Sequence, residues 1–138
     1  MGVDAETERK LHEYGLELGL AFQIQDDVLD FTKNLKQLGK PSLNDLKSGL
    51  TTAPVLFAMN ESQGQQLKTL AQRKYAKNGD IETTFEIIKE SNGILKSSAL
   101  ALRHLEQAFY YLRSFSNSKN NTKKYLQALS LKSYNRQF

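Results

Sequence analysis

The chain is organised around one stretch, Ala21-Phe22-Gln23-Ile24-Gln25-Asp26-Asp27-Val28-Leu29-Asp30-Phe31, in which three carboxylates lie within an apolar segment. An α-helix turns about 100° per residue, so Asp26, Asp27 and Asp30 share one helical face about 100° wide. Gln23 lies one turn earlier on the same face. Like charges at this spacing destabilise a helix unless something neutralises them. We therefore expect a cation at this face.

The ligand types indicate which cation. No His or Cys lies near the three acids, and oxygen ligands alone suit a hard cation, Mg²⁺ above all. Magnesium usually takes one or two carboxylates plus waters and substrate phosphates, so the face resembles half of a metal-bridged phosphate site. An Asp-Asp-x-x-Asp pattern also arises by chance in roughly one chain in a hundred of this length, usually as a solvated surface. Here the apolar flanks leave no broad polar face for water, so we expect the acids to line an internal site.

Length and composition limit the classes of protein. A chain of 138 residues is enough for one domain with a single core, and we expect 1–138 to form a single helical domain. It contains no Cys, which excludes disulfide scaffolds and thiolate sites and agrees with an intracellular location, in mitochondrion or cytoplasm. We find no transmembrane segment and no visible targeting signal. The tail over 116–138 is basic, but scattered aromatic residues do not form a platform for bases, so we expect no nucleic-acid partner.

Hydrophobic spacing predicts helices throughout and no strand, so the expected fold class is all-α. Asp4 is a suitable N-cap, and no Pro interrupts the chain before Pro41. Gly15 and Gly19 fall inside the first helix, where we expect them to allow close approach of a helix or ligand. We predict, in chain order, helices over 5–32, 51–59, 62–77, 80–91 and 94–113, a polar loop over 116–121, and a last helix capped by Thr122.

A lysine-rich loop or broken helix is expected over 33–49, directly after the acidic face. Its lysines are mobile point charges that suit a diphosphate, so the loop could fold over the acids and clamp a magnesium diphosphate. A solvated basic loop is the alternative. His12 and His104 lack the spacing and acidic partners of a metal or catalytic site, and we expect both to be exposed.

Two segments resemble one known family, the trans-isoprenyl (polyprenyl) diphosphate synthases. The stretch over 22–30 is similar to the second aspartate-rich motif of that family. The segments Leu38-Gly39-Lys40-Pro41 and Asp45-Leu46-Lys47-Ser48-Gly49-Leu50-Thr51-Thr52-Ala53-Pro54 are similar to the region that follows it. The sequence of the second segment is most similar to that of the long-chain synthases that make quinone side chains, including those of ubiquinone biosynthesis. The resemblance extends more weakly to Asn135-Arg136.

The resemblance implies the roles of individual residues. Asp26 and Asp27, supported by Asp30, would hold Mg²⁺ on an allylic diphosphate. Lys40 and Lys47 would contact that diphosphate and stabilise its charge as it leaves, with Gln23 as a further contact. Phe22 would lie near the isoprenoid substrates, although a core aromatic role is almost as well supported. The implied reaction joins the allylic diphosphate to isopentenyl diphosphate.

The chain also departs from the family pattern. Members are about twice as long and carry another aspartate-rich motif in their first half, which nothing before Asp26 can supply. The start at Met1 resembles an interior position, so we expect the C-terminal half of an isoprenoid-synthase-type bundle, largely inactive alone and paired in a homo- or heterodimer with another synthase chain. The motif that sets product length is missing, so product length cannot be inferred.

Three other functions stay open. A non-catalytic or regulatory subunit would use the same helices as an interaction surface, but it has no need of internal acids. Half of a terpene synthase is also all-α, although its second metal motif normally mixes Asn or Asp with Ser or Thr and Glu. An RNA-binding helical module would require strong, salt-dependent affinity.

Overall fold

The computed structural model describes Gly2 and residues 4–36, 43–114 and 120–135. Within these residues the secondary structure consists of seven helices and no strand, which confirms the all-α prediction. The helices are α1 (Ala5–Lys36), α2 (Asn44–Lys47), α3 (Ala53–Ala58), α4 (Gly64–Gln72), α5 (Asp80–Glu90), α6 (Gly93–Arg113) and α7 (Asn120–Asn135). None of the helices in the described part of the chain is both long and apolar enough to cross a bilayer.

The first helix begins where the sequence predicts and ends later. The Asp4 side chain caps it, because its Oδ1 accepts a hydrogen bond from the Thr7 backbone N–H at 2.9 Å. The helix continues four residues past Thr32, to Lys36, so the prediction of a loop from residue 33 is wrong at its start. Asn34 supports this extra turn, since its side-chain amide donates to the backbone carbonyl of Asp30 at 2.5 Å. Residues 37–42 of the expected loop lie outside the described residues.

The remaining helices match the predicted order, with shifted ends. α3 begins at Ala53 with Pro54 in its first turn, and α5 begins at Asp80, as expected. α4 ends at Gln72 rather than near Lys77, because a tight turn closes directly after it. α7 begins at Asn120, before the predicted Thr122 cap, which shortens the expected polar loop over 116–121. Residues 115–119 lie outside the described part.

The chain forms two compact units, and α1 and α6 each contribute to both. The first unit comprises 1–23 and 100–138, and the second comprises 24–99. The core of the second unit is built from buried residues of α1 to α5, namely Phe31, Leu43, Leu46, Val55, Ala58, Leu67, Leu70, Tyr75, Phe85, Ile87 and Ile88. The core of the first unit is smaller and is built from Ala21, Leu105, Phe109 and Leu112, with Tyr14, Leu18, Leu126 and Tyr134 packed against them.

Several expectations about the first unit are corrected. His104 is half-buried and lies 2.6 Å from the Glu17 carboxylate, so it is neither exposed nor without an acidic partner. His12 is exposed, as expected. A side chain added at Gly15 or Gly19 would meet nothing within 4 Å among the described residues, so the close approach predicted for these glycines is not found there.

Candidate functional site

The three acids of α1 lie in the second unit but differ in exposure. Asp26 is exposed, Asp27 is only 9% exposed and Asp30 is half-buried. The expectation that all three line an internal site stays a prediction. Helical geometry explains the difference in exposure: neighbouring residues point about 100° apart, so a face that buries Asp27 leaves Asp26 at its exposed edge.

The Asp27 carboxylate is held by the start of α3. Its Oδ2 accepts a hydrogen bond from the backbone N–H of Ala53, the first residue of that helix, at 3.1 Å. The first backbone N–H groups of a helix have no partner inside it, so the acid from α1 satisfies one of the donors left open at the start of α3. The position of Asp27 therefore depends on the segment that directly follows α2.

Asp30 lies in a setting that disfavours its charge. Burial raises the pKa of the Asp30 carboxyl, the nearby charges of Asp45 and Asp27 raise it further, and Lys33 opposes them. Its Oδ2 is buried and has no hydrogen-bond partner among the described residues. A buried acceptor without a partner costs about 1–3 kcal/mol, and a bound cation would remove that cost.

The sequence alone did not identify Asp45 or the Ala53 amide as parts of this site. Asp45 lies on α2, where the fully buried Leu46 fixes the helix to the core while Asp45 itself is half-buried. Its effect on the pKa of Asp30 shows that α2 brings a further carboxylate to the acidic face. The clue available in the sequence was the Asp45-Leu46-Lys47 triplet itself, an acid and a base flanking a leucine.

The structure describes three of the four residues that are predicted to contact the substrate. Lys47 is exposed at the end of α2. Lys40 lies outside the described residues. Phe22 and Gln23 belong to the first unit, where Phe22 is half-buried and Gln23 is exposed. The roles of all four residues stay predictions.

The acidic face suits shared rather than complete coordination of a metal. Among the described residues, no three acidic or histidine side chains are arranged to hold one ion together. Asp27 and Asp30 with the neighbouring Asp45 nevertheless provide hard oxygen ligands, and the buried Oδ2 of Asp30 has no partner in the described part of the chain. Magnesium normally takes one or two carboxylates and fills its other positions with water and phosphate oxygens. The donor set therefore fits Mg²⁺ bound together with a phosphorylated substrate.

Comparison with known proteins identifies the family. A family model described as polyprenyl synthetase matches residues 1–88. The chain belongs to the polyprenyl synthetase family. Membership confirms the resemblance drawn from the acidic stretch of α1 and the segment that follows it.

Relatives and solved structures agree with this polyprenyl synthetase assignment. The probable mitochondrial hexaprenyl pyrophosphate synthase of Neurospora crassa is 43% identical over 118 residues, which cover 86% of this chain and 26% of that protein. The apo form of an Arabidopsis medium/long-chain length prenyl pyrophosphate synthase superposes with a TM-score of 0.83 at 33% identity, covering 98% of this chain and 46% of that one.

A third comparison includes ligands. The polyprenyl synthase from Caulobacter crescentus, complexed with calcium and isoprenyl diphosphate, has a TM-score of 0.75 at 28% identity over 99% of this chain and 42% of that one. The chain spans between 21% and 36% of the length of the curated relatives it matches. Names among these relatives confirm the similarity to long-chain members of the family.

Proposed function

We propose that this chain supplies one wall of a polyprenyl diphosphate synthase, a prenyltransferase that condenses an allylic diphosphate with isopentenyl diphosphate. One observation carries the proposal: Asp27 and Asp30 lie on one face of α1 beside Asp45, and Asp30 keeps a buried carboxylate oxygen without a described partner. Such a face costs stability unless a cation binds it. The names of the relatives favour a synthase over a non-catalytic subunit.

Asp26, Asp27 and Asp30 are the residues that would hold Mg²⁺. When bound, the ion supplies positive charge against the diphosphate of the allylic substrate. The exposure of Asp26 suits a ligand at the solvent side of the site, whereas the bond from the Ala53 amide keeps Asp27 in a fixed orientation. The Caulobacter polyprenyl synthase, complexed with calcium and isoprenyl diphosphate, supports binding of a divalent cation and a diphosphate by this chain.

The lysines that follow α1 bind the substrate in this proposal. Lys40 and Lys47 pair with the diphosphate oxygens, and Gln23 donates a further hydrogen bond to them. Phe22 packs against the isoprenoid chain. As the allylic carbon–oxygen bond breaks, both lysines stabilise the charge that collects on the departing diphosphate. The allylic carbocation then adds to the double bond of isopentenyl diphosphate, and a proton passes to the diphosphate.

Assembly with another synthase chain is part of this proposal. The 138-residue chain contains one aspartate-rich motif, whereas the synthases that the sequence resembles use two. We propose that the working enzyme is a homo- or heterodimer with another prenyl synthase chain, in which these 138 residues provide the second aspartate-rich motif. The relatives include synthases named as mitochondrial and synthases named as chloroplastic, which supports an intracellular location for this chain.

A reconstitution experiment tests the proposal. The chain is mixed with an N-terminal synthase half that carries the first aspartate-rich motif, and extracted product is counted from radiolabelled isopentenyl diphosphate with farnesyl diphosphate and Mg²⁺. We expect product from the mixture, little from either part alone, and none from a mixture in which Asp27→Asn and Asp30→Asn are combined. Product at full level from that double variant would refute the role of the acids.

A further inference from the structure

Tyr75 links the end of α4 to the segment that follows α2. Its ring is buried in the core of the second unit, only 4% exposed, and its hydroxyl lies 3.0 Å from the Thr51 hydroxyl. Burial raises the pKa of the Tyr75 phenol, so the hydroxyl stays protonated at neutral pH. A buried tyrosine hydroxyl normally requires such a partner, and Thr51 supplies it.

The backbone at this point is in an unusual conformation. Lys74 and Tyr75 both have positive φ, 55° and 56°, which residues other than glycine adopt at a cost. The end of α4 explains the positive φ of Lys74. The Lys74 N–H donates to the Ala71 carbonyl at 2.8 Å and the Tyr75 N–H donates to the Leu70 carbonyl at 3.0 Å, the pattern of a Schellman C-cap with Lys74 at the left-handed position.

The Schellman motif does not require the second left-handed residue. A positive φ at Tyr75 therefore needs another compensation, and the contacts of its side chain provide one. The ring fills part of the core, and the hydroxyl reaches Thr51. The preceding Lys74 packs against the same segment, because a Cβ placed on Gly49 would lie 3.3 Å from the Lys74 Cβ. Two consecutive residues thus hold the chain over 49–51.

This segment leads directly to the acidic face. Ala53 follows Thr51 by two residues, and its backbone N–H donates to the Asp27 carboxylate at 3.1 Å. Leu50 is tied in turn to α2, since its N–H donates to the Asp45 carbonyl at 2.9 Å. A short, continuous path therefore runs from the Tyr75 hydroxyl through Thr51 to the amide that orients Asp27.

We infer that Tyr75 is a positioning residue for the acidic face, holding Thr51 so that the Ala53 amide fixes the Asp27 carboxylate in a metal-binding orientation. The inference rests on the proposed function for its metal, but the positioning step involves only hydrogen bonds within the second unit. Residues that orient a metal ligand typically change metal affinity about 10–100-fold when they are altered, and Tyr75 acts one link farther out. We therefore expect a loss of about fivefold, below that range.

The test compares two deletions of one hydroxyl each in the 138-residue chain. Tyr75→Phe removes the bond to Thr51, and Tyr14→Phe removes a similar bond to Ser130, 2.9 Å long, in the other unit. We expect Tyr75→Phe to raise the Kd of farnesyl thiodiphosphate in Mg²⁺ about fivefold and to speed hydrogen exchange of the Ala53 amide. Tyr14→Phe is expected to leave both unchanged.

Variants of Thr51 separate positioning from a general loss of stability. Thr51→Val should reproduce both effects of Tyr75→Phe. The double variant should bind no more weakly than either single variant, because all three lose the same hydrogen bond between Thr51 and Tyr75. Thr51→Ser keeps the hydroxyl and should keep the affinity of the unmodified chain.

Two results distinguish failure of this inference from failure of the proposed function. Exchange of the Ala53 amide in Tyr75→Phe that equals exchange in the unmodified chain would overturn the positioning role, whether or not metal binds. Absence of Mg²⁺-dependent binding in the unmodified chain would overturn the proposed function instead, and with it the metal-binding consequence of the positioning.

Discussion

Replacing Asp30 by Asn should stabilise the chain without metal and destabilise it relative to the unmodified chain once metal and substrate bind. The substitution keeps the shape of the side chain but removes its charge. Asp27 lies three residues earlier, and a like-charge pair at that spacing costs about 0.2–0.5 kcal/mol. A similar cost from Asp45 brings the expected gain for Asp30→Asn to about 0.4–1 kcal/mol, or about 1–3 °C in Tm.

The effect of Asp30→Asn on stability changes sign when metal and substrate analogue are bound. At about 100 times Kd, Mg²⁺ with farnesyl thiodiphosphate stabilises the unmodified chain by about 2.7 kcal/mol. If loss of the Asp30 charge weakens binding about a hundredfold, the same ligand concentration stabilises the variant by only about 0.4 kcal/mol. The variant should therefore be more stable by about 0.4–1 kcal/mol without ligand and less stable by about 1.3–1.9 kcal/mol with it.

The pH dependence gives a second signature of the same charge. Burial and neighbouring acids raise the folded-state pKa of Asp30 above its ordinary value of 3.8. A raised acid pKa means that the folded state binds the proton more tightly, so ionisation of Asp30 costs stability as pH rises from 3.8 through the folded pKa. The advantage of Asp30→Asn should be complete at neutral pH and should disappear below about pH 3.8.

Thermal unfolding followed by circular dichroism, with and without Mg²⁺ and farnesyl thiodiphosphate, measures both effects. Glu86→Gln is the matched control, because Glu86 is an exposed acid in the same unit, paired only at the surface with Lys89. It should change Tm little in either condition. A lower Tm for Asp30→Asn without ligand, or a ligand-induced gain equal to that of the unmodified chain, would refute the reasoning.

Three further predictions concern packing, substrate charge and acid stability. Gly93→Ala should lower the free energy of unfolding in urea by about 2 kcal/mol, because its Cβ would lie 2.3 Å from a backbone carbonyl oxygen. Gly19→Ala, in open space within α1, should raise the free energy of unfolding by about 0.5–1 kcal/mol. Equal effects of the two substitutions would contradict the packing around Gly93. Lys47→Gln should weaken binding of farnesyl thiodiphosphate about tenfold in calorimetry and reduce its salt dependence, and unchanged affinity would exclude Lys47 from the site. The Arg73 guanidinium holds the pKa of Asp80 below 3.8 by hydrogen bonding. The stabilisation from this ion pair is therefore present above pH 3.8 and is lost as pH falls through the folded-state pKa. In urea unfolding across pH, Asp80→Asn should lower the free energy of unfolding at pH 7 and reduce the further loss of stability in acid.

The helices were largely predictable because their signals are local. Hydrophobic spacing, the Asp4 cap and Pro54 in a first turn placed α1, α3, α5 and α6 close to their observed positions. The end of α1 differs from the prediction because its last turn contains lysines and an asparagine, residues that are also typical of loops. The burial of the Asn34 side chain, which supports the extra turn, depends on tertiary packing.

The site was predictable only in part, for a related reason. One helix face fixed the spacing of the acids, so Asp26, Asp27 and Asp30 followed from the sequence. Contacts between elements that are distant in the chain could not be predicted. The Ala53 amide donates to Asp27 from 26 residues away, and Asp45, on another helix, raises the pKa of Asp30. The same limit explains the unexpected pairing of His104 with Glu17, which are 87 residues apart. Periodicity indicates which face is polar, not which distant group will meet it.

Calorimetric titration of farnesyl thiodiphosphate into the chain, in Mg²⁺ and again in EDTA, tests the central claim most directly. If the acids of α1 and the following lysines form a metal-bridged diphosphate site, affinity should fall at least tenfold without Mg²⁺, and Asp27→Asn combined with Asp30→Asn should abolish the difference. Equal affinity in Mg²⁺ and EDTA would contradict the account.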